Sequence, residues 1–351
     1  MKKFLAVLLF ASLLLTTISG AVFAQSSDSL VDVQRVAFPV TLADNQTYTL
    51  VGYLYMPHGN PNNLPQCGKR SDTVQVTLSG ATYNHKYWDA NDGGPINGAT
   101  YSYARYMAGQ CYGVLTLDRL GTGESSRPSG DFINKTVEAD ALAQVLSALR
   151  TTHNPAHRKF KRIVLVGHSF GSFLSVFTLG EYGNVADGLV VTGWIQSPGT
   201  VPLTPEYVQQ LLQTPYITVV PEVRAALYYS PAAADPAVIA YDNANLSDTL
   251  PRGFFLDGVG VFTARALGDV AQIKALTKSD QVNVPVFVQL GDNDVLFPSA
   301  LAVNEASFYS NAPLVNVDNL TNIGHGFNLH TNHLTGWQHI DAWIDANIVN
   351  N

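Results

Sequence analysis

The run from Lys161 to Ser172, KRIVLVGHSFGS, constrains this chain more than any other stretch. An apolar, β-prone segment ending at Val166 leads straight into Gly167-His168-Ser169-Phe170-Gly171, and a helix-compatible run, FLSVFTLGEYG, follows. A strand that stops in a G-x-S-x-G turn forces its central residue into strained backbone geometry, tolerated where the flanking residues are small. The turn therefore predicts Ser169 at a tip between strand and helix. Its hydroxyl would face a cleft, and the free N–H groups at the helix start would face the same spot. A serine hydroxyl is a poor nucleophile at neutral pH, so this reading requires a histidine base and a carboxylate from elsewhere in the chain.

The first residues bear on where such chemistry takes place. Lys2 and Lys3 precede an apolar run from Phe4 to Leu15, and Val22-Phe23-Ala24 offers the small residues a signal peptidase reads. Residues 1–24 are expected to be a cleaved secretory signal. Thr16, Thr17, Ser19 and Gly20 interrupt the apolar run that a stable membrane anchor would need. In an exported protein Cys67 and Cys111, the chain's two cysteines, are expected to pair. Asn45, Asn134, Asn245 and Asn319 each begin an N-x-[ST] sequon. At 46% hydrophobic, 13% charged and net −7, the 351 residues can bury a large core, and their charge gives no reason to expect a nucleic-acid partner.

In chain order, Asp32 to Pro57 reads as an antiparallel edge hairpin, and Thr73 to Leu78 as a strand opening onto Ser79-Gly80-Ala81-Thr82-Tyr83. Small residues just past a strand let backbone N–H groups approach a ligand. A helix is expected over Ala99–Gln110, a strand over Tyr112–Leu117 and an amphipathic helix over Val137–Arg150. Gly188–Ile195 is a further strand. The β/α rhythm then breaks until Val284–Leu290, and residues 199–281, rich in Pro, Tyr, Phe and Ala, read as a mainly helical cap over one edge of the sheet. The core is thus expected in two pieces, 25–198 and 282–351. A helix over Pro298–Tyr309, a short strand over Leu314–Val317 and a final helix over His333–Val349 complete the reading.

Three functional groups fall at the ends of strands in the order Ser169, an aspartate of Gly291-Asp292-Asn293-Asp294, and His325 in Asn322-Ile323-Gly324-His325-Gly326. Ligands in open parallel sheets bind at that edge. His330 and His333 are the alternatives for the base.

DRLGTGES, GHSFG, GDND and GHG, in that order, give the chain a resemblance to the α/β-hydrolase family over nearly the whole length after the leader. The resemblance implies a mostly parallel central sheet flanked by helices, with the cap inserted after the sixth strand. It implies Ser169 as nucleophile, Asp294 as acid and His325 as base, with the backbone N–H groups of Phe170 and Ala81 lining an oxyanion hole. Ser79-Gly80 stands where the family commonly has His-Gly, which leaves the first donor open between Ala81 and Thr82. Thr82, Tyr83, Trp88 and His168, adjacent to these groups, are the expected pocket residues. Relatives that attack with aspartate are dehalogenases and epoxide hydrolases, so serine implies acyl transfer. The expected substrate is a small to medium hydrophobic ester, lactone or thioester, with no cofactor and no metal. Amide hydrolysis, or a silent member that only binds a ligand, are the competing functions.

Overall fold

A computed structural model describes residues 31–59 and 67–351. The expected signal sequence lies outside the described residues. Among these, eight strands form one sheet: β1 (Val31–Thr41), β2 (Thr47–Pro57), β3 (Thr73–Leu78), β4 (Gly113–Leu117), β5 (Arg162–His168), β6 (Gly188–Thr192), β7 (Val286–Gly291) and β8 (Val315–Leu320). Their spatial order is β1-β2-β4-β3-β5-β6-β7-β8. β1 pairs with β2, and β2 with β4, antiparallel, whereas every pair from β4 through β8 is parallel.

Helices cover both faces of the parallel part, so β3 to β7 are buried along their length: β5 and β6 carry near-continuous apolar runs, and even the alternating TVQVTL of β3 is buried throughout. Ile163 to Val166 of β5 and Leu189 to Val191 of β6 are completely buried. At the far edge β8 is largely exposed, and its sequence VNVDNL is correspondingly polar. The layers come from α1 (Tyr103–Gly109), α2 (Lys135–Leu149), α3 (Phe170–Tyr182) and, at the end, α9 (His333–Ile344). The Asn134 side chain caps α2 by accepting from the N–H groups of Thr136 and Val137.

Cys67 and Cys111 form a disulfide, Cα–Cα 5.2 Å, that ties the segment before β3 to the segment before β4. Some expected elements differ. The stretch read as helix from Ala99 begins helical only at Tyr103, because Ala99–Thr100 pairs with Pro95–Ile96 in a small hairpin and Ser102 caps the helix. The helix expected over Pro298–Tyr309 is a 3-10 segment, Ser299–Phe308, interrupted at Ala302 and Asn304. Glu305 within it is drawn inward to accept from Ser197 and from the N–H of Gln196, and these tertiary bonds override the helical pattern.

Between β6 and β7 the chain makes α4 (Pro205–Leu211), α5 (Pro221–Tyr228), α6 (Pro236–Asn245), α7 (Arg252–Leu267) and α8 (Val270–Thr277). The prolines that punctuate this stretch open α4, α5 and α6 at their first turn, where the missing N–H costs nothing. Tyr216–Ile217 pairs with Leu250–Pro251 to cinch the insertion. β6 is the sixth strand of the sheet in chain order, where the insertion was expected. No helix among the described residues is long and apolar enough to cross a membrane.

Candidate active site

Ser169 sits where β5 turns into α3, with φ +53° and ψ −120°. A non-glycine residue held there is strained by roughly 1–3 kcal/mol and persists only if its surroundings over-determine it. They do. The Ser169 N–H donates to Thr192 O at 2.8 Å, and the Ser172 hydroxyl bonds Thr192 O at 3.0 Å, lashing the turn to β6. The flanking glycines are demanded by space: a Cβ on Gly167 would lie 2.4 Å from Ser172 Cα, and one on Gly171 would lie 2.1 Å from Leu78 O. The Ser169 side chain makes no capping bond to α3.

Asp294, past the end of β7, is buried, and its two oxygens divide their work. Oδ1 accepts from the N–H groups of Leu296 at 2.9 Å and Phe297 at 3.0 Å, while Oδ2 faces His325 Nδ1 at 2.9 Å. Nδ1 thus carries the proton toward the carboxylate, and Nε2 is left as the ring's free acceptor. Asp292 is exposed and accepts from Asn322 N–H at 2.7 Å, so it braces the histidine loop from outside. The two alternative histidines are engaged elsewhere. His330 Nε2 accepts from the N–H groups of Ser230 and Gly324, and its Nδ1 donates to Gly326 O. Burial pushes its pKa down to about 4. His333 bonds the carbonyl of His330 and packs on Trp337.

Ser169 and His325 line one small cavity, about 60 Å³, together with Ala81, Thr82 and Phe170. The backbone N–H groups of Ala81 and Phe170 are engaged by no acceptor among the described residues. Thr82 also carries positive φ, +57°, and is fully buried.

Three of the expected pocket residues do not reach the cavity. After Thr82 the chain enters a tight turn, His85–Trp88, that packs behind the wall. Tyr83 is drawn away by a bond from its hydroxyl to Asp242 Oδ2 at 3.0 Å, and Trp88 is buried edge-on against Tyr87 and Tyr103. His168, the last residue of β5, is fully buried and takes no part in the cavity wall. Its Nδ1 donates to Thr192 Oγ1 at 3.2 Å and its ring stacks on Tyr87. Burial, with the neighbouring His325 ring 4.9 Å away, holds its pKa well below the usual histidine value.

The actual walls come largely from the insertion: Val201, Leu203, Tyr207 and Leu211 around α4, Leu227 and Tyr228 of α5, Leu250, and Phe255 and Phe262 of α7. Leu296 and Phe297 of the acid loop complete them. Tyr228, Phe255 and Phe262 are among the six aromatic residues, with Tyr216, Tyr229 and Phe254, that stand out when the insertion is read as an aromatic-rich cap over the cleft. Tyr216, Tyr229 and Phe254, of the same set, pack elsewhere. Among the described residues no group of three or more His, Cys, Asp or Glu is arranged to hold a metal ion.

A parallel sheet with a serine on a strained strand-to-helix turn, facing a buried Asp–His pair, defines a hydrolase architecture. The sequence profile of the alpha/beta hydrolase family matches residues 76–333, and the chain belongs to that family. No curated protein matches the sequence. Among solved structures, a thermophilic esterase from Thermogutta terrifontis aligns with a TM-score of 0.58 at 18% identity, over 89% of this chain and 98% of its own. A monoacylglycerol lipase from Paleococcus ferrophilus aligns with a TM-score of 0.56 at 13% identity, over 90% and 99%. A thioesterase domain from the curacin biosynthetic pathway gives 0.52 at 13%, over 89% and 99%. At these identities the likeness is one of fold.

Proposed function

We propose that the protein is a secreted serine hydrolase that cleaves small to medium hydrophobic carboxylic esters, or related lactones and thioesters, through an acyl-enzyme. The observation that carries this reading is Ser169, at φ +53°, opening with His325 onto one apolar cavity while His325 Nδ1 is paired with Asp294 at 2.9 Å. In the first half-reaction Ser169 Oγ attacks the acyl carbon and its proton passes to His325 Nε2. The carbonyl oxygen, now an oxyanion, takes hydrogen bonds from the N–H groups of Phe170 and Ala81. Asp294 holds the ring orientation and stabilises the imidazolium. His325 then protonates the departing alkoxide or thiolate, and a water activated by the same ring releases the acid. The cavity walls supply no carboxylate, lysine or arginine, so recognition of the acyl and alcohol groups rests on burial of apolar surface. Secretion is supported by the lysine-led leader sequence and by the Cys67–Cys111 disulfide.

The test is labelling with an organophosphonate, followed by mass mapping, alongside a panel of p-nitrophenyl esters of graded length and aminoacyl anilides. One adduct per chain on Ser169 is expected, with Ser169→Ala lowering ester turnover by about 10⁴-fold or more. An adduct on another residue, or faster cleavage of anilides than of every ester, overturns the reading.

A further inference from the structure

Thr82 is a β-branched residue at φ +57° that lines the cavity beside Ala81. Such a residue does not rest in the left-handed region unless something holds it there. Every side chain and backbone group that bonds Thr82 comes from the insertion. Thr82 O accepts from Asp248 N–H at 2.9 Å and from Arg224 Nη1 at 3.2 Å. Thr82 Oγ1 accepts from the same Arg224 Nη1 at 2.8 Å and lies 3.4 Å from the Tyr228 hydroxyl. Arg224 is itself fully buried on α5. Its Nη2 bonds Asp242 Oδ1 at 2.5 Å, and Asp242 Oδ2 accepts from the hydroxyls of Tyr83 and Tyr229. The guanidinium carbon lies 4.5 Å from the centre of the Tyr83 ring.

We propose that Arg224 is a positioning residue for the oxyanion-binding loop: by gripping both oxygens of Thr82 it fixes the left-handed turn and so aims the N–H groups of the preceding peptides at the cavity. A rotation about Thr82 swings the peptide planes on its N-terminal side, because the residue after it is anchored by the Tyr83 hydroxyl. The geometry needs a planar fork. One nitrogen reaches the loop while the other holds the carboxylate that also anchors Tyr83, and a lysine ammonium cannot span the two. A buried ion pair of this kind adds little net stability over a packed apolar pair, so its value here lies in the conformation it specifies. Because the loop's donors act on the oxyanion and not on the apolar body of the substrate, their misalignment weakens the transition state more than the bound ester.

This inference rests on the acyl-transfer reading above, and the experiment separates the two. The full-length enzyme, Arg224→Met and Thr82→Val are compared on p-nitrophenyl butyrate for kcat and KM, and with the organophosphonate for both rate and final stoichiometry. Absence of Ser169-dependent cleavage in the unaltered enzyme defeats the parent reading. With that activity present, Arg224→Met is expected to lower kcat by about 10- to 100-fold, leave KM within about threefold, and slow phosphonate labelling in proportion while still reaching one adduct per chain. Thr82→Val keeps the Arg224–Asp242 pair and carries the test if Arg224→Met does not fold; the same split, at smaller magnitude, is expected. An unchanged kcat in the folded variant, or a loss confined to KM, overturns the proposal.

Discussion

The floor and the roof of the cavity are built by different rules. The floor consists of turns that follow β3, β5 and β7 and the loop after β8, and the groups that fix its shape have dedicated partners: Ser169 N–H on Thr192, Asp294 on three donors, Asp292 on Asn322. The roof, from Val201 to Phe262, meets the cavity with aliphatic and aromatic surface almost throughout. Chemistry requires donors and acceptors held to within a fraction of an ångström, and only turns lashed to a buried sheet provide that. Apolar recognition requires shape and area, which many side-chain combinations supply.

The comparison is broken most sharply by a change in the floor that leaves shape untouched. Asp294→Asn preserves volume but favours the wrong imidazole tautomer, and is expected to lower kcat by about 10⁴-fold with little change in KM. Asp292→Asn keeps an acceptor for Asn322 N–H and should leave turnover within about threefold. Steady-state kinetics of the two variants side by side checks both, and a reversal of the two effects would move the acid to Asp292.

A second effect, intermediate in size, concerns the seam between the two parts. His330 must be neutral, since its Nε2 accepts from Ser230 in the roof and from Gly324 in the floor. Its pKa lies at about 4 against an ordinary 6.5, chiefly through burial. A histidine whose folded pKa is depressed contributes stability that is whole above pH 6.5 and is lost as pH falls through 6.5 toward 4. The shift corresponds to about 3 kcal/mol in total. Urea unfolding between pH 7 and pH 4.5 should therefore show a shallower pH slope for His330→Gln than for the unaltered protein, and equal slopes would remove His330 from the acid response.

The smallest effect belongs to the roof. Val201, Leu203 and Phe262 line the cavity on one side and an apolar groove between α4 and α7 on the other, so they form a partition. Phe262→Ala is expected to leave cleavage of butyrate esters within about threefold while raising kcat/KM for decanoate esters by about tenfold, at roughly 1 kcal/mol per methylene newly accommodated. An unshifted chain-length profile would mean that the partition does not limit the substrate.

The same contrast explains what was legible in the sequence. Ser169, Asp294 and His325 could be read because the floor needs particular residue types at fixed distances from strand ends, and GHSFG, GDND and GHG carry that requirement in the open. Strand positions were legible from apolar β-prone runs such as IVLV in β5 and from the alternating TVQVTL of β3. Of the expected pocket residues, Thr82 lines the cavity and the other three do not. Tyr83, Trp88 and His168 are near Ser169 or Ala81 in sequence but lie behind the wall, since one is pulled to Asp242, one is held by ring packing and one is bonded to Thr192 and stacked on Tyr87. Tyr207, Ile217 and Phe297 reach the cavity through tertiary placement that no periodicity announces. Arg224, too, reads in sequence as one more charge on a short helix, and its meaning appears only once Thr82 is beside it.

The insertion leaves at β6 and rejoins at β7, two strands that lie side by side. Closure of a loop costs only slowly more as it lengthens, so over a lineage this stretch could be extended, trimmed or exchanged while the sheet stayed as it is. The two attachments set the terms of any such exchange. A replacement must again present a fork to Thr82 and an N–H to His330, or the borrowed roof would arrive with a floor that had lost its shape. New specificities are therefore most accessible through α4, which contributes wall residues to the cavity yet holds neither of these two pins, and least accessible through α5.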